Sequence, residues 1–156
     1  MTLTLEQRID RLESMQAICA LKAQYCTYCD NNYDPEGISS QFTEDGKWNG
    51  EDFGSYVGKK EIGDFFRRIS TKIAFAGHLV TNPNIAFQDA DHATSTWRLF
   101  EPVSWVDNGV KDSRLILAGY VDHYVRENGV WKFAVVNLHV NFFSKLEDGW
   151  AETAIA

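Results

Sequence analysis

The amino-acid sequence predicts an α+β domain in which helices come first and a run of antiparallel strands follows. Before residue 73, apolar side chains recur every three or four positions, which is the spacing of an amphipathic helix. From residue 73 onward the apolar period shortens toward two, which is typical of strands. The pair Asn128-Gly129 is a strong hairpin signal within the second half. Helices followed by antiparallel strands indicate an α+β fold.

The first helix is predicted to begin at a capping box. Thr4 fits the N-cap, and Gln7 stands three positions later, where its side chain can reach back. Apolar residues then continue at helical spacing, as one long helix or as two that join near Glu13-Ser14. The cluster Asp30-Asn31-Asn32-Tyr33 favours a turn, so we expect the helix to end there.

Two shorter helices and a short strand are predicted next. Asp34-Pro35 provides an N-cap and a first helical residue for a helix that runs through Phe42. After the turn at Asp45-Gly46, residues 47–49 form a short strand. Gly58 then opens an amphipathic helix whose apolar residues, at i, i+3, i+4 and i+7, are Ile62, Phe65, Phe66 and Ile69.

The second half of the chain is predicted to contain four main strands. Their expected ranges are Ile73–Asn82, ending before Pro83, with Ile85–Gln88 as a continuation after a bend, then His92–Trp105, Ser113–Arg126 and Val130–Phe143. Beyond Ser144 the chain is expected to fray. We therefore predict one domain over residues 1–145 and a C-terminal tail over 146–156.

Composition excludes several classes of protein. The chain of 156 residues has 22 acidic and 15 basic side chains, a net charge of −7, which argues against a binder of nucleic acid. Its apolar runs are too short to span a membrane, and its first residues do not resemble a signal peptide. We expect a cytoplasmic protein. Its 5 Trp, 6 Tyr and 10 Phe are ample for this length, and these rings form the core or line a binding site.

The three cysteines, Cys19, Cys26 and Cys29, lie within one predicted helix. An odd number in so short a segment is not a disulfide framework, and no second pair completes a zinc site. We expect buried, reduced thiols that act as small hydrophobic side chains.

Histidine is the side chain best suited to proton transfer near neutral pH, and the chain has four. His92 lies in a hydrophilic turn, whereas His123 and His139 lie on strands. No pair has the spacing of a helical metal site, so no metal is predicted. His78 is set apart because Ala76 and Gly77 leave open space beside it. It is either a general base or a core histidine bonded to a backbone carbonyl.

A carboxylate that could orient His78 is available at the end of the first helix. Asp30 lies where the helix dipole is negative, which disfavours a carboxylate by several tenths of a kcal/mol. It is therefore either a residue that forms the turn or a partner of His78. Tyr25 lies on the same helix about 140° away around its axis, so both side chains can flank one pocket.

Six segments together resemble the SnoaL-like, NTF2-like superfamily, in particular the group of scytalone dehydratase, hexachlorocyclohexane dehydrochlorinase and bile-acid 7α-dehydratase. The segments are Tyr25-x-x-x-x-Asp30, Phe42–Trp48, Gly58–Ile62, Gly77–Asn82, Asn128–Phe133 and Asn141–Phe143. The resemblance covers nearly the whole chain. It implies a cone of curved, mostly antiparallel sheet wrapped by helices around a deep pocket.

The resemblance also implies a function. His78 would abstract a proton, Asp30 would orient its imidazole, and Tyr25 would donate a hydrogen bond to a developing oxyanion or a departing hydroxyl. The implied protein is a cofactor-independent lyase, dehydratase-like or dehydrohalogenase-like, that takes a small hydrophobic molecule and forms a homo-oligomer, a dimer or a trimer. The residues expected to line the pocket, or else to pack as ordinary core, are Trp48, Tyr56, Trp97, Tyr120, Leu138, His139 and Asn141.

The end of the last strand departs from the pattern of this group. Dehydratase-like members commonly have a polar residue there, often arginine, whereas this chain has His139 and Asn141. This difference favours a neutral substrate over an anionic one. Two other functions remain open: proton transfer without loss of a group, as in ketosteroid isomerases or polyketide cyclases, and a non-catalytic subunit like the small subunit of ring-hydroxylating dioxygenases.

Overall fold

A computed structural model describes residues 3–151 and contains three α-helices and seven strands in that range. The helices are α1 (Leu5–Asp30), α2 (Pro35–Ser40) and α3 (Gly58–Ile69). The strands are β1 (Phe42–Asn49), β2 (Ser55–Val57), β3 (Ile73–Ala76), β4 (Leu79–Phe87), β5 (His92–Asp107), β6 (Val110–Glu127) and β7 (Val130–Lys145), and one 3₁₀ turn covers Glu51–Phe53. The predicted α+β class is confirmed.

The strands form one open, curved sheet. Its order is β2-β1-β7-β6-β5-β3, and β4 also pairs with β5. All pairs are antiparallel except β1 and β7, which run parallel. The register between β6 and β7 shifts twice, after Leu117 and after His123. Such irregularities bend a strand and increase its twist, and here they curve the sheet around the helices.

The helix termini follow the predicted capping. Thr4 accepts a hydrogen bond from the backbone of Gln7, whose side chain bonds back to Thr4, so the capping box is confirmed. α1 is one helix of 26 residues and ends at Asp30. Asp34 caps α2, with Pro35 as its first residue. α2 is shorter than predicted because Phe42 already pairs with Phe133 of β7 as the first residue of β1.

The strand predicted over Ile73–Asn82 is interrupted at Gly77 and His78, which separate β3 from β4. The backbone N–H of His78 donates to the side chain of Asp30 instead of to a neighbouring strand. β4 also continues through Pro83, with Asn82 in the left-handed conformation at φ 53° and a register shift between Thr81 and Asn84. The predicted end of the strand before Pro83 is therefore wrong.

The hairpin and the C-terminal end can be compared directly with the predictions. Asn128 and Gly129 have φ values of 51° and 81°, as a tight hairpin turn requires, so that turn is confirmed. β7 includes Ser144 and Lys145, so the strand runs two residues beyond its predicted end at Phe143. Trp150 stacks on Phe142 with ring centroids 5.8 Å apart. The rest of the predicted tail, residues 152–156, lies outside the described residues.

The hydrophobic core lies between the helices and the concave face of the sheet. α1 contributes Ile18, Tyr25, Cys26 and Cys29 to it, and α3 contributes Ile62, Phe65 and Phe66. The cysteine prediction is confirmed for Cys26 and Cys29, which are buried free thiols, while Cys19 is a partly buried one. No helix within residues 3–151 is long and apolar enough to cross a membrane.

Candidate active site

Asp30 and His78 meet at the end of α1. His78 Nδ1 lies 2.8 Å from Asp30 Oδ1, and the same oxygen accepts the backbone N–H of His78 at 2.9 Å. The ionised carboxylate can only accept, so Nδ1 carries the proton and Nε2 is the basic nitrogen. The side chain of Asp30 is 40% exposed, whereas that of His78 is only 5% exposed. The two hydrogen bonds offset the unfavourable position of a carboxylate at a helix C-terminus.

The other side of the imidazole faces a second carboxyl group that sequence reasoning missed. Glu101 Oε1 lies 3.5 Å from His78 Nε2, and the Glu101 side chain is only 4% exposed. The Tyr33 hydroxyl donates to the same Oε1 at 3.0 Å. Burial raises the pKa of Glu101, while the charge of His78 and the Tyr33 hydrogen bond lower it and the charge of Asp30 raises it. Glu101 alternates with buried Leu99 and Val103 on β5, a pattern that could have placed it on the inner face.

Tyr33 reaches Glu101 because of an unusual turn after α1. Asn32 and Tyr33 both have positive φ, at 56° and 50°. Asparagine tolerates this conformation, but an aromatic residue adopts it only when its surroundings compensate. The backbone N–H of Tyr33 bonds to Cys29, and its ring stacks on Phe66 with centroids 5.9 Å apart. The turn thus places the Tyr33 ring edge-on to His78, with centroids 5.6 Å apart.

His78 and Glu101 lie on the wall of an apolar cavity that is open to solvent. Its aromatic lining consists of Tyr25, Tyr33, Trp48, Phe53, Phe65, Phe66, Trp105 and Tyr120. Its aliphatic lining consists of Ile69, Ile73, Ile116 and Leu138. Apart from the tyrosines, His78 and Glu101 are therefore the titratable residues on this wall, and an apolar ligand would bring its reacting carbons against them.

Tyr25 also lines this cavity. It accepts a hydrogen bond from Trp48 Nε1 at 3.0 Å, which leaves its own proton for donation. Burial raises the pKa of Tyr25 well above its ordinary value, so the hydroxyl stays protonated at neutral pH. The Tyr25 ring packs edge-on against Phe66, Tyr120 and Phe133.

Three of the residues predicted to line the pocket do so, namely Trp48, Tyr120 and Leu138. Tyr56 instead stacks on Phe65 at 4.4 Å, behind Trp48, and its hydroxyl bonds to the Phe53 carbonyl. Trp97 is buried elsewhere in the core, where its indole N–H bonds to Ser95 and Tyr124.

His139 and Asn141 also lie away from this cavity. Both alternate with the inward Leu138 and are exposed on the opposite face of β7. His139 lies near Glu51, and Asn141 accepts a long hydrogen bond from Arg98 at 3.5 Å. The polar residue sought at the end of the last strand is therefore absent from the cavity wall, and Glu101 of β5 supplies the carboxyl group there.

A buried ion pair supports the cavity from the side of Tyr120. Lys22 Nζ lies 2.9 Å from Asp122 Oδ2, both side chains are fully buried, and the ammonium stands 3.2 Å from the centre of the Tyr120 ring. Burial raises the pKa of Asp122, an effect that the charge of Lys22 opposes. Within residues 3–151, no three His, Cys, Asp or Glu side chains converge as a metal site would require.

An open, curved sheet wrapped by helices, with a hydrogen-bonded His–Asp pair on the wall of an apolar cavity, defines a cone-shaped protein built to enclose a small molecule. The pattern of the SnoaL-like domain matches residues 10–137. The chain therefore belongs to the SnoaL-like family, and its fold is the NTF2-like cone that the sequence resemblance implied.

Known relatives agree with this assignment. The chain is 28% identical to the gamma-hexachlorocyclohexane dehydrochlorinase of Sphingobium indicum over 139 residues, 88% of this chain and 87% of the relative. The crystal structure of a type 2 hexachlorocyclohexane dehydrochlorinase has a TM-score of 0.83 at 27% identity and covers 96% and 97% of the two chains. A scytalone dehydratase-like protein from Novosphingobium aromaticivorans has a TM-score of 0.80 at 20% identity, covering 88% and 90%, which supports the fold.

Proposed function

We propose that this protein is a cofactor-independent lyase that eliminates a leaving group from a small hydrophobic molecule, with His78 as general base and Asp30 as the residue that orients it. The observation that carries the proposal is the 2.8 Å contact between His78 Nδ1 and Asp30, on the wall of an apolar cavity. It directs the basic Nε2 away from Asp30 and toward Glu101, which lines the same cavity.

Proton abstraction needs a carbon acid within reach of Nε2. A carbon next to a carbonyl or a leaving group is acidic enough for an imidazole to act on. As Nε2 takes the proton, the ring becomes an imidazolium, and the Asp30 carboxylate stabilises that charge, as the aspartate of a serine-protease triad does. The bond electrons then form the carbon–carbon double bond and expel the leaving group.

We expect Tyr25 to stabilise negative charge on the substrate. Its hydroxyl keeps its proton and is held in place by Trp48 Nε1. Donation to a carbonyl oxygen would stabilise the charge that develops there during proton abstraction. A positioned donor or acid of this kind contributes about 10²–10⁴-fold in rate.

The cavity lining favours neutral, apolar substrates of the hydroxy-ketone or polycyclic kind. Its walls are mostly aromatic and aliphatic, and apart from its tyrosines its titratable residues are His78 and Glu101, with Asp30 directly behind. An anionic group would meet the carboxyl groups of Asp30 and Glu101, and within residues 3–151 no cationic side chain lines this wall, so binding would cost free energy in an apolar site. The relative that dehydrochlorinates hexachlorocyclohexane also acts on a neutral apolar ring, as its name states.

The test is a screen for elimination followed by variants. Hydroxy-ketones, sterol-like alcohols and hexachlorocyclohexane are incubated with the wild type and with His78→Ala, and products are analysed by mass spectrometry. We expect loss of water or of hydrogen chloride, and a loss of rate of at least about 10²-fold in His78→Ala. His92→Ala is the matched control, since the His92 side chain is 58% exposed and lies against the surface carboxylate of Asp89.

Three results would contradict the proposal. Full activity of His78→Ala would show that the His78–Asp30 pair takes no part in the reaction. A product of unchanged mass would identify an isomerase or cyclase that uses the same base. Binding of a hydrophobic ligand without any turnover would identify a non-catalytic binding or assembly subunit.

We also propose that the protein forms a homo-oligomer, a dimer or a trimer, and acts in the cytoplasm. The proposal of an oligomer rests on the family resemblance, and sedimentation equilibrium tests it. The compartment is supported by three free cysteines, which a reducing environment preserves. Cell fractionation tests the compartment.

A further inference from the structure

We propose that Glu101 is the catalytic acid of this site and that it gives its proton to a hydroxyl leaving group on the same face of the substrate from which His78 removes a proton. This inference rests on the proposed elimination and makes it more specific. It selects alcohols, which lose water, over halides.

The position of Glu101 carries the inference. Its Oε1 is 3.5 Å from the basic nitrogen of His78 and accepts the Tyr33 hydroxyl at 3.0 Å. Within residues 3–151, Tyr33 is its only hydrogen-bond partner, so Oε2 is available to a ligand in the cavity. A nearly fully buried glutamate on an apolar wall costs stability unless it is protonated or paired. A role in proton transfer accounts for its presence.

The chemistry of leaving groups explains why an acid is needed. Hydroxide is a poor leaving group, and protonation of the oxygen as the carbon–oxygen bond breaks lets it depart as water. A halide departs as a stable anion and gains little from an acid. Burial raises the pKa of Glu101 and so favours the form that can donate. The titratable groups whose charges act on it are His78, Tyr33, Asp30, Tyr120 and the thiols Cys26 and Cys29.

The proton balance closes without a co-reactant. His78 Nε2 takes the proton from carbon, the electrons of that bond form the double bond, and the carbon–oxygen bond breaks onto the oxygen. Glu101 protonates that oxygen, and water leaves. The imidazolium proton on Nε2 then passes across the 3.5 Å gap, after a small side-chain rotation, to the Glu101 carboxylate. This transfer restores neutral His78 and protonated Glu101.

The same distance determines the stereochemistry. A base and an acid only 3.5 Å apart cannot act on opposite faces of a bound ring. The hydrogen and the hydroxyl must therefore leave from the same face. Elimination from opposite faces, with a base on one side and an acid on the other, is incompatible with this arrangement.

The kinetic test compares two probes in wild type, Glu101→Gln and His78→Ala. The probes are 3-hydroxycyclohexanone and 3-(4-nitrophenoxy)cyclohexanone, whose nitrophenolate departs without protonation. We expect Glu101→Gln to lower elimination of the alcohol by about 10²–10⁴-fold and release of nitrophenolate much less, so that the ratio of the two rates changes by at least about tenfold. Equal loss on both probes, or loss on neither, would overturn the role of Glu101. Full activity of His78→Ala on both would instead overturn the proposed function.

Two further measurements act independently of that comparison. The first uses 3-hydroxycyclohexanone with deuterium at carbon 2, on the same face as the hydroxyl. Same-face elimination loses this label, and retention of the label in the product would refute the proposed geometry. The carbon-13 resonance of the Glu101 carboxyl, assigned with Glu101→Gln, gives its titration even if neither cyclohexanone is a substrate. We expect it to titrate above the ordinary glutamate pKa of about 4.3. Titration at or below that value would overturn the proposal.

Discussion

Replacing Lys22 with methionine is expected to lower the free energy of unfolding by about 3–5 kcal/mol at neutral pH. Lys22 and Asp122 are fully buried and 2.9 Å apart. Methionine fills a similar volume but leaves the carboxylate without its cation. Asp122 would then keep one hydrogen bond, from the Tyr124 hydroxyl at 3.1 Å, and its Oδ1 already has no partner within residues 3–151.

The cost should depend on pH in a defined direction. Burial already raises the pKa of Asp122, and loss of the Lys22 charge raises it further. The folded variant then holds a proton that the unfolded chain releases above about pH 3.9. Stability therefore falls as pH rises from that value through the folded pKa, and Lys22→Met should lose least in acid.

Urea unfolding at several pH values measures this effect. A double-mutant cycle with Asp122→Asn isolates the pair, and the double variant should recover much of the loss because no buried charge remains. Lys60→Met is the control, since Lys60 pairs with Asp64 on the surface at 2.7 Å and its loss should leave stability essentially unchanged. A cost below about 1 kcal/mol for Lys22→Met, or a cost independent of pH, would refute the reasoning.

Three further predictions concern the site and α1. Asp30→Asn should lower the elimination rate by about 10³–10⁴-fold, because an amide does not hold His78 in the tautomer with a free Nε2. Steady-state kinetics measure this loss, and an unchanged circular dichroism spectrum shows that the variant is folded. Because burial raises the pKa of Glu101, the free energy of unfolding should decline as pH rises above about 4.3 through the folded pKa. Glu101→Gln should weaken this pH dependence, which urea unfolding at several pH values measures. Cys26, whose pKa burial raises to about 11, and Cys29 should resist iodoacetamide in the native protein at neutral pH, and rapid alkylation seen by mass spectrometry would contradict the packing of α1.

Much of the fold could be predicted because local signals and global structure agree. Thr4 begins α1, Asn128-Gly129 turns the last hairpin, and the change of apolar period marks where the helices give way to the sheet. The pairing of Asp30 with His78 was predicted from the family resemblance and from the position of Asp30 at the end of the helix. The residues alone favoured a core histidine.

The errors at the site have two physical causes. Along a strand, alternation indicates which face a residue occupies, and it would have excluded His139 and Asn141 once Leu138 was placed inside. Alternation does not say how far along the cone an inward residue lies, so Trp97 was placed in the cavity although it packs beside Tyr124. Glu101 was missed because a single acidic residue in an apolar strand gives no motif.

Local propensity does not predict the interruption of the strand at His78, between β3 and β4. Residues 73–82 favour a continuous strand, but the His78 N–H bonds to a side chain from α1. A contact between positions 48 residues apart in the chain decides this local structure, and no window of neighbouring residues contains it.

The parallel pairing of β1 with β7 has a consequence for synthesis on the ribosome. β1 lies between β2 and β7, so its central partner emerges only after most of the chain has been made. Asp30 and His78 are available early, but Leu138, which completes the wall, arrives late. Contacts of such high sequence separation slow folding, and the nascent chain would meanwhile expose Trp48 and Phe42 to solvent. A folding helper that shields aromatic surface would be most useful in that interval.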